Sequence, residues 1–99
     1  FVHELSEVRP GAGPEYLAAT LELRVPAMAE RGIRLVGLYE AVLSDTEVCT
    51  IWATDVAAHT ALLRDGDPWP ATARQWCTRW REELMTPGAG SPLASEEIR

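Results

Sequence analysis

Hydrophobic and polar positions change their spacing several times along the chain, and each change predicts an element. Phe1 to Val8 alternates and reads as a strand, closed by the turn residues Arg9-Pro10-Gly11-Ala12-Gly13. From Glu15 to Arg31 the apolar spacing shifts to three or four. Leu17, Leu21, Val25 and Met28 share one stripe, Pro14 suits a first helical turn, and Gly32 is a stop. Pro26 falls inside this helix, removes the hydrogen bond to the Glu22 carbonyl, and predicts a bend or a second segment. Ile33 to Leu43 and Glu47 to Thr54 are rich in β-branched and aliphatic residues and flank Ser44-Asp45-Thr46, which predicts a hairpin. Asp55 can cap a short helix reaching Leu63. After Gly66-Asp67-Pro68 a longer helix is expected from Trp69 to Met85, with Trp69, Ala73, Trp76, Trp80 and Leu84 on one stripe. From Thr86 onward Pro, Gly, Ser and Ala dominate. The domain is therefore expected over 1–85, and an extended arm or edge strand with a tail over 86–99.

The order strand, helix, strand, strand, helix, edge strand is that of a ferredoxin-like βαββαβ sandwich, an α+β fold with an antiparallel sheet and helices on one face. The second face of such a sheet is bare. Val2, Val8, Val36, Leu38, Val42, Cys49, Ile51 and Ala53 are expected there, a surface too apolar for a monomer to expose. A homodimer paired through the sheet face would cover it.

Several segments carry a resemblance that runs over most of the chain. They are Val8-Arg9-Pro10-Gly11, Pro26, Gly32-Ile33-Arg34-Leu35-Val36-Gly37-Leu38-Tyr39, Glu47-Val48 leading into Ile51-Trp52-Ala53-Thr54-Asp55, and Leu63 with Asp67-Pro68-Trp69. In this order and spacing the chain resembles the NIPSNAP-like branch of the dimeric α+β barrel proteins. One departure is Met85-Thr86-Pro87-Gly88-Ala89-Gly90, which stands where such proteins run into a regular fourth strand. The resemblance implies an obligate dimer whose two sheets close into a barrel, with a small-molecule cavity between sheet and helices in each protomer. It implies no single activity. Similar proteins include cofactor-independent oxygenases, haem-degrading enzymes, lactone isomerases, polyketide cyclases and ligand sensors, and a shared fold does not select among them.

Composition narrows the chemistry. The 99 residues carry nine basic and fifteen acidic side chains, a formal charge of −6, and every basic residue is Arg. Schiff-base and P-loop lysines are excluded, and an acidic chain with scattered Arg is a poor match to a phosphate backbone, so no nucleic-acid partner is expected. The longest apolar stretch, Ile33 to Leu43, is interrupted by Arg34 and Glu40. It is short of the roughly 20 residues a membrane span needs, so no membrane partner is expected. Cys49 and Cys77 are isolated, which favours a reducing, cytoplasmic setting. Two separated histidines, scattered cysteines and a bare G-x-G turn offer no metal-ligand set, flavin site or nucleotide site, so neither metal nor cofactor is expected. A chain opening on Phe1 also fits one block of a longer, repeated protein.

Strand alternation assigns Phe1, His3, Leu5 and Glu7, then Leu35, Gly37 and Tyr39, then Thr50 and Trp52 to the helix-facing side. His3, Tyr39 and His59 are the candidates for proton transfer or carbonyl polarisation. Gly37, Thr50, Trp52, Arg74 and Trp76 are the candidates for ligand contact: Gly37 as a mid-strand gap, Trp52 as a stacking surface, Arg74 as a grip on a carboxylate. The resemblance adds that Trp52 followed by His59 is similar in kind to a strand Trp and helix His that line the cavity of haem-degrading and oxygenase relatives. Each residue also has an ordinary role. His59 is spaced to pair with Asp55 on an exposed helix face, the tryptophans suit core packing, and Glu4 and Glu40 are expected on the dimer-facing side near Arg34. The expected function is binding of a small apolar or aromatic molecule, with cofactor-independent cyclase, isomerase or oxygenase chemistry. The alternative is a non-catalytic binding or interaction protein whose interior Trp52 and Tyr39 fill.

Overall fold

A computed structural model describes residues 1–41, 46–86 and 88–91; Val42, Ser44 and Asp45 of the expected hairpin, and positions 87 and 92–99 of the expected arm and tail, lie outside the described residues. Four strands form one antiparallel sheet in the order β2-β3-β1-β4, where β1 is Val2–Val8, β2 Arg34–Glu40, β3 Glu47–Ala53 and β4 Cys77–Leu84. This is the ferredoxin-like arrangement the pattern predicts.

The first helical run is continuous but changes its winding. An α-turned stretch α1 (Gly13–Ala19) passes through a π turn (Thr20–Arg24) into α2 (Val25–Ala29). The Val25 amide reaches back to the Thr20 carbonyl across the widened turn, and Pro26, which has no N–H to give, follows directly. The expected apolar stripe holds in part: Met28 is buried and Leu17 and Val25 pack against the core, but Leu21 is exposed, and Tyr16, Thr20 and Arg24 take the fully buried positions. Asp55 caps α3 (Val56–Asp65), its side chain accepting from the Ala58 amide at 2.7 Å.

The predicted long last helix is corrected. Only α4 (Trp69–Ala73) is helical, and β4 occupies the stretch assigned to the rest of that helix. Trp80 and Leu84 therefore belong to a strand paired to β1, and the fourth strand ends where the extended arm was expected to begin.

Strand facing is also corrected on β1. Val2, Glu4, Ser6 and Val8 are buried under the helices, so His3, Leu5 and Glu7 lie on the open face. On β3 the expectation holds, with Val48, Thr50 and Trp52 buried. On β2 a bulge between Leu35 and Gly37 switches the alternation. Leu35 lies opposite Trp52 and Leu38 opposite Thr50, whereas Gly37 and Tyr39 lie opposite Ile51 and Cys49 on the open face. Val2, Val8 and Leu38 are thus withdrawn from the predicted bare surface. That surface is mixed: Leu5, Cys49, Ile51 and Ala53 share it with His3, Glu7, Tyr39, Arg79, Arg81 and Glu83.

Two apolar clusters fill the space between sheet and helices. Val8, Tyr16, Val48, Trp69, Ala73 and Cys77 form one; Val2, Met28, Ile33, Trp52 and Leu62 form the other.

Candidate functional site

Arg24 bridges these two clusters. Its guanidinium lies 5.7 Å from the Trp52 ring centre and 5.6 Å from that of Trp69, one ring from each cluster, within cation–π range of both. Nη2 donates to Glu4 Oε2 at 2.9 Å and Nη1 to Asp67 Oδ1 at 2.6 Å. The side chains of Arg24, Glu4 and Asp67 are 4%, 1% and 7% exposed, so one buried cation is shared by two buried carboxylates. Trp52 Nε1 donates to the other Glu4 oxygen at 2.8 Å, and Asp67 Oδ1 also accepts from the Trp69 amide at 3.0 Å. The π turn brings Arg24 to this position, at the end of the widened stretch.

Burial holds the Glu4 carboxyl above its ordinary value of 4.5, outweighing the Arg24 charge and the hydrogen bonds from Trp52 and Arg24. Glu82, directly opposite on β4, adds a smaller upward push. His59 Nε2 lies 3.9 Å from Glu82 Oε1, so a polar file runs from His59 through Glu82 and Glu4 to Arg24 and Asp67. Nearby, Tyr16 shares a 2.9 Å hydrogen bond with Ser6, and burial pushes its phenol up to about 12.

A cleft of about 300 Å³ opens beside this network, between the first helical run and the α3–α4 connection. Leu23, Ala27, Met28, Leu62 and Trp69 supply apolar walls, with Arg24 and Asp67 at its polar end. The volume lies at the small end of the range typical of ligand pockets.

The sequence candidates are dispersed. Trp52 and Thr50 lie beneath the helices as expected, but Trp52 is fully buried and packed under Arg24, so it fills the interior. His3, Gly37 and Tyr39 are on the opposite face of the sheet from His59, so the three proton-transfer candidates do not converge. Gly37 makes room for its own neighbour: a Cβ there would meet Tyr39 Cε2 at 2.6 Å. His59 turns inward to Glu82, while Asp55 caps α3. Trp76 packs with Trp69 and Tyr16 and donates to Glu15 at 3.3 Å. Arg74 is exposed beyond α4, beside a shallower recess on the β4 side. Glu4 belongs to the interior and pairs with Arg24, not Arg34. The polar cluster was missed because its members are far apart in sequence; the available signal was an Arg two residues ahead of a mid-helix Pro.

Among the described residues no group of three or more His, Cys, Asp or Glu side chains is placed to hold a metal ion, and no helix is long and apolar enough to cross a membrane. No protein-family profile and no curated protein sequence matches the chain. Solved structures do. An uncharacterized NIPSNAP domain protein from Burkholderia xenovorans superposes with a TM-score of 0.71 at 17% identity, covering 92% of this chain and 96% of its own. A NIPSNAP family protein from Agrobacterium tumefaciens gives 0.69 at 17% identity, over 93% and 95%. Another from the same organism, of unknown function, gives 0.69 at 18% identity, over 93% and 90%. The chain thus has the fold of the solved NIPSNAP domain proteins, a ferredoxin-like α+β sandwich.

Proposed function

We propose that the protein binds a small, largely apolar organic molecule in the cleft beside Arg24 and Asp67, and that it works as a homodimer paired through the open sheet face. The observation that carries the reading is an apolar cleft of about 300 Å³ ending on a buried, charged pair, a common composition for a small-molecule site. Pairing through the sheet draws support from the file of Leu5, Cys49 and Ile51 on a face that none of the described helices covers. Binding without turnover is favoured over cyclase, isomerase or oxygenase chemistry, because Trp52 and Trp69 fill the layer between sheet and helices and His3, Tyr39 and His59 are separated by the sheet. Native mass spectrometry of protein purified under gentle conditions tests both parts. A dimer carrying an extra small-molecule mass, lost on denaturation and lost in a Leu23→Trp variant that fills the cleft, is the expected result. A monomer overturns the dimer, and a bound mass indifferent to Leu23→Trp overturns the cleft.

A further inference from the structure

The charge balance at the polar end of the cleft restricts what can enter it. Arg24 is the cation, and it is engaged on both sides, by Glu4 and by Asp67. With Glu4 ionised the three groups sum to −1; with Glu4 protonated they sum to zero. In neither state is the cluster positive. Arg31, the other cation in the cleft wall, lies on the solvent side, 3.1 Å from an Asp65 that it shares with Arg64. A carboxylate or phosphate lodged at that end would be desolvated beside Glu4 and Asp67, which already share its one cation, and the unpartnered Arg24 Nε is buried out of reach.

Asp67 supplies what the cleft does offer. Both hydrogen bonds it accepts among the described residues, from Arg24 Nη1 and from the Trp69 amide, fall on Oδ1. Oδ2 remains as an acceptor on a side chain that is 93% buried and lines the cleft. A buried carboxylate oxygen gains most from a donor, and most of all from a charged one.

We infer that the cleft selects an uncharged or cationic apolar molecule that presents an N–H or O–H donor to Asp67, and rejects carboxylates and phosphates of the same shape. The inference rests on the cleft being the ligand site. Leu23, Met28, Leu62 and Trp69 hold the apolar body, and Asp67 fixes the polar end.

Three probes with one ring system test it: naphthalen-2-ylmethanamine, naphthalen-2-ylmethanol and 2-naphthoate, titrated at neutral pH while the Trp69 indole is followed by NMR. The amine and the alcohol are expected to bind at least about tenfold tighter than the carboxylate. Asp67→Asn keeps its one oxygen on Arg24 and the Trp69 amide and presents an NH2 where Oδ2 stood, so the amine is expected to lose at least about tenfold in affinity. The order among probes in the wild-type protein decides the matter even where that variant fails to fold. Leu23→Trp should abolish binding of all three. Naphthoate binding as tightly as the amine, and sensitive to Leu23→Trp, overturns the selectivity while leaving the cleft standing. No binding of any probe removes the cleft as the site, and the inference with it.

Discussion

Glu4 and Arg24, one on the sheet and one on the helix above it, meet at 2.9 Å with 1% and 4% of their side chains exposed. At that depth neither charge is stable alone. Arg24→Met strands two carboxylates and is expected to cost about 3–5 kcal/mol. Glu4→Gln keeps an acceptor for Arg24 but turns its NH2 toward the Trp52 indole N–H, so it should cost less than Arg24→Met without being neutral. The double variant Glu4→Gln/Arg24→Met should be less destabilised than the two single costs added together. Urea unfolding of the four proteins measures the coupling; strict additivity would mean that the pair contributes nothing jointly.

The position of Glu4 makes the fold pH-sensitive with a defined sign. Its carboxyl titrates above the ordinary 4.5 in the folded chain, because burial outweighs Arg24 and the Trp52 and Arg24 hydrogen bonds. The folded state therefore holds this proton more tightly than the unfolded state. The resulting stabilisation is fully present below pH 4.5 and is lost as pH rises through the folded value. Glu4→Gln cannot lose it. The stability of wild type relative to Glu4→Gln should thus fall as pH climbs from 4.5 toward neutrality, read as the difference between their urea midpoints; a flat or rising difference contradicts the buried carboxyl.

Tyr16 behaves alike at the alkaline end. Burial pushes its phenol up to about 12 despite hydrogen bonding to Ser6. An ultraviolet phenolate titration should show a late step near pH 12 that Tyr16→Phe removes. The stability tied to the neutral phenol is present below its ordinary value of 10.0 and lost as pH rises toward 12. An alkaline titration unchanged by Tyr16→Phe would refute this.

The same buried polar residues explain what could be read from the sequence and what could not. The order of elements through β3 and α3 was legible because apolar spacing and turn residues agree there. β1 and β4 were misread for one shared reason. Glu4 and Ser6 on β1 face the helices, and so does Glu82 on β4, so apolar alternation points the wrong way where a polar file crosses the core. Leu5 then looks interior, and Trp76, Trp80 and Leu84, each four apart, imitate a helix stripe. The bulge ahead of Gly37 reverses β2 in mid-strand, which no period reveals. The cleft was invisible because Arg24 and Asp67 meet only through tertiary packing.

Gly37 illustrates how an open site in a sequence can be occupied in the fold. An added Cβ would lie 2.6 Å from a ring carbon of Tyr39, but that ring is 58% exposed and can swing away. At dilutions where the chain is a monomer, Gly37→Ala is therefore expected to change stability by no more than about 0.5 kcal/mol. Tyr39→Ala should make the substitution neutral or favourable, as alanine suits a strand better than glycine. Thermal unfolding of the three variants tests this. A cost of several kcal/mol for Gly37→Ala would mean that the ring is fixed, as it would be beneath a partner sheet.

Ile51 is central on the open face, opposite His3 on β1 and Gly37 on β2, and only half-buried in the single chain. In a monomer Ile51→Arg places a charge where water reaches it and should leave unfolding nearly unchanged. In a sheet-to-sheet dimer the same charge enters the middle of the contact, doubled by symmetry, with Arg79 and Arg81 already on that face. Sedimentation velocity across a concentration series should therefore show wild type as a dimer and Ile51→Arg as a monomer of unchanged circular dichroism. A dimer that tolerates the arginine pairs through some other surface, and then Leu5, Cys49 and Ile51 are simply the solvated side of the sheet.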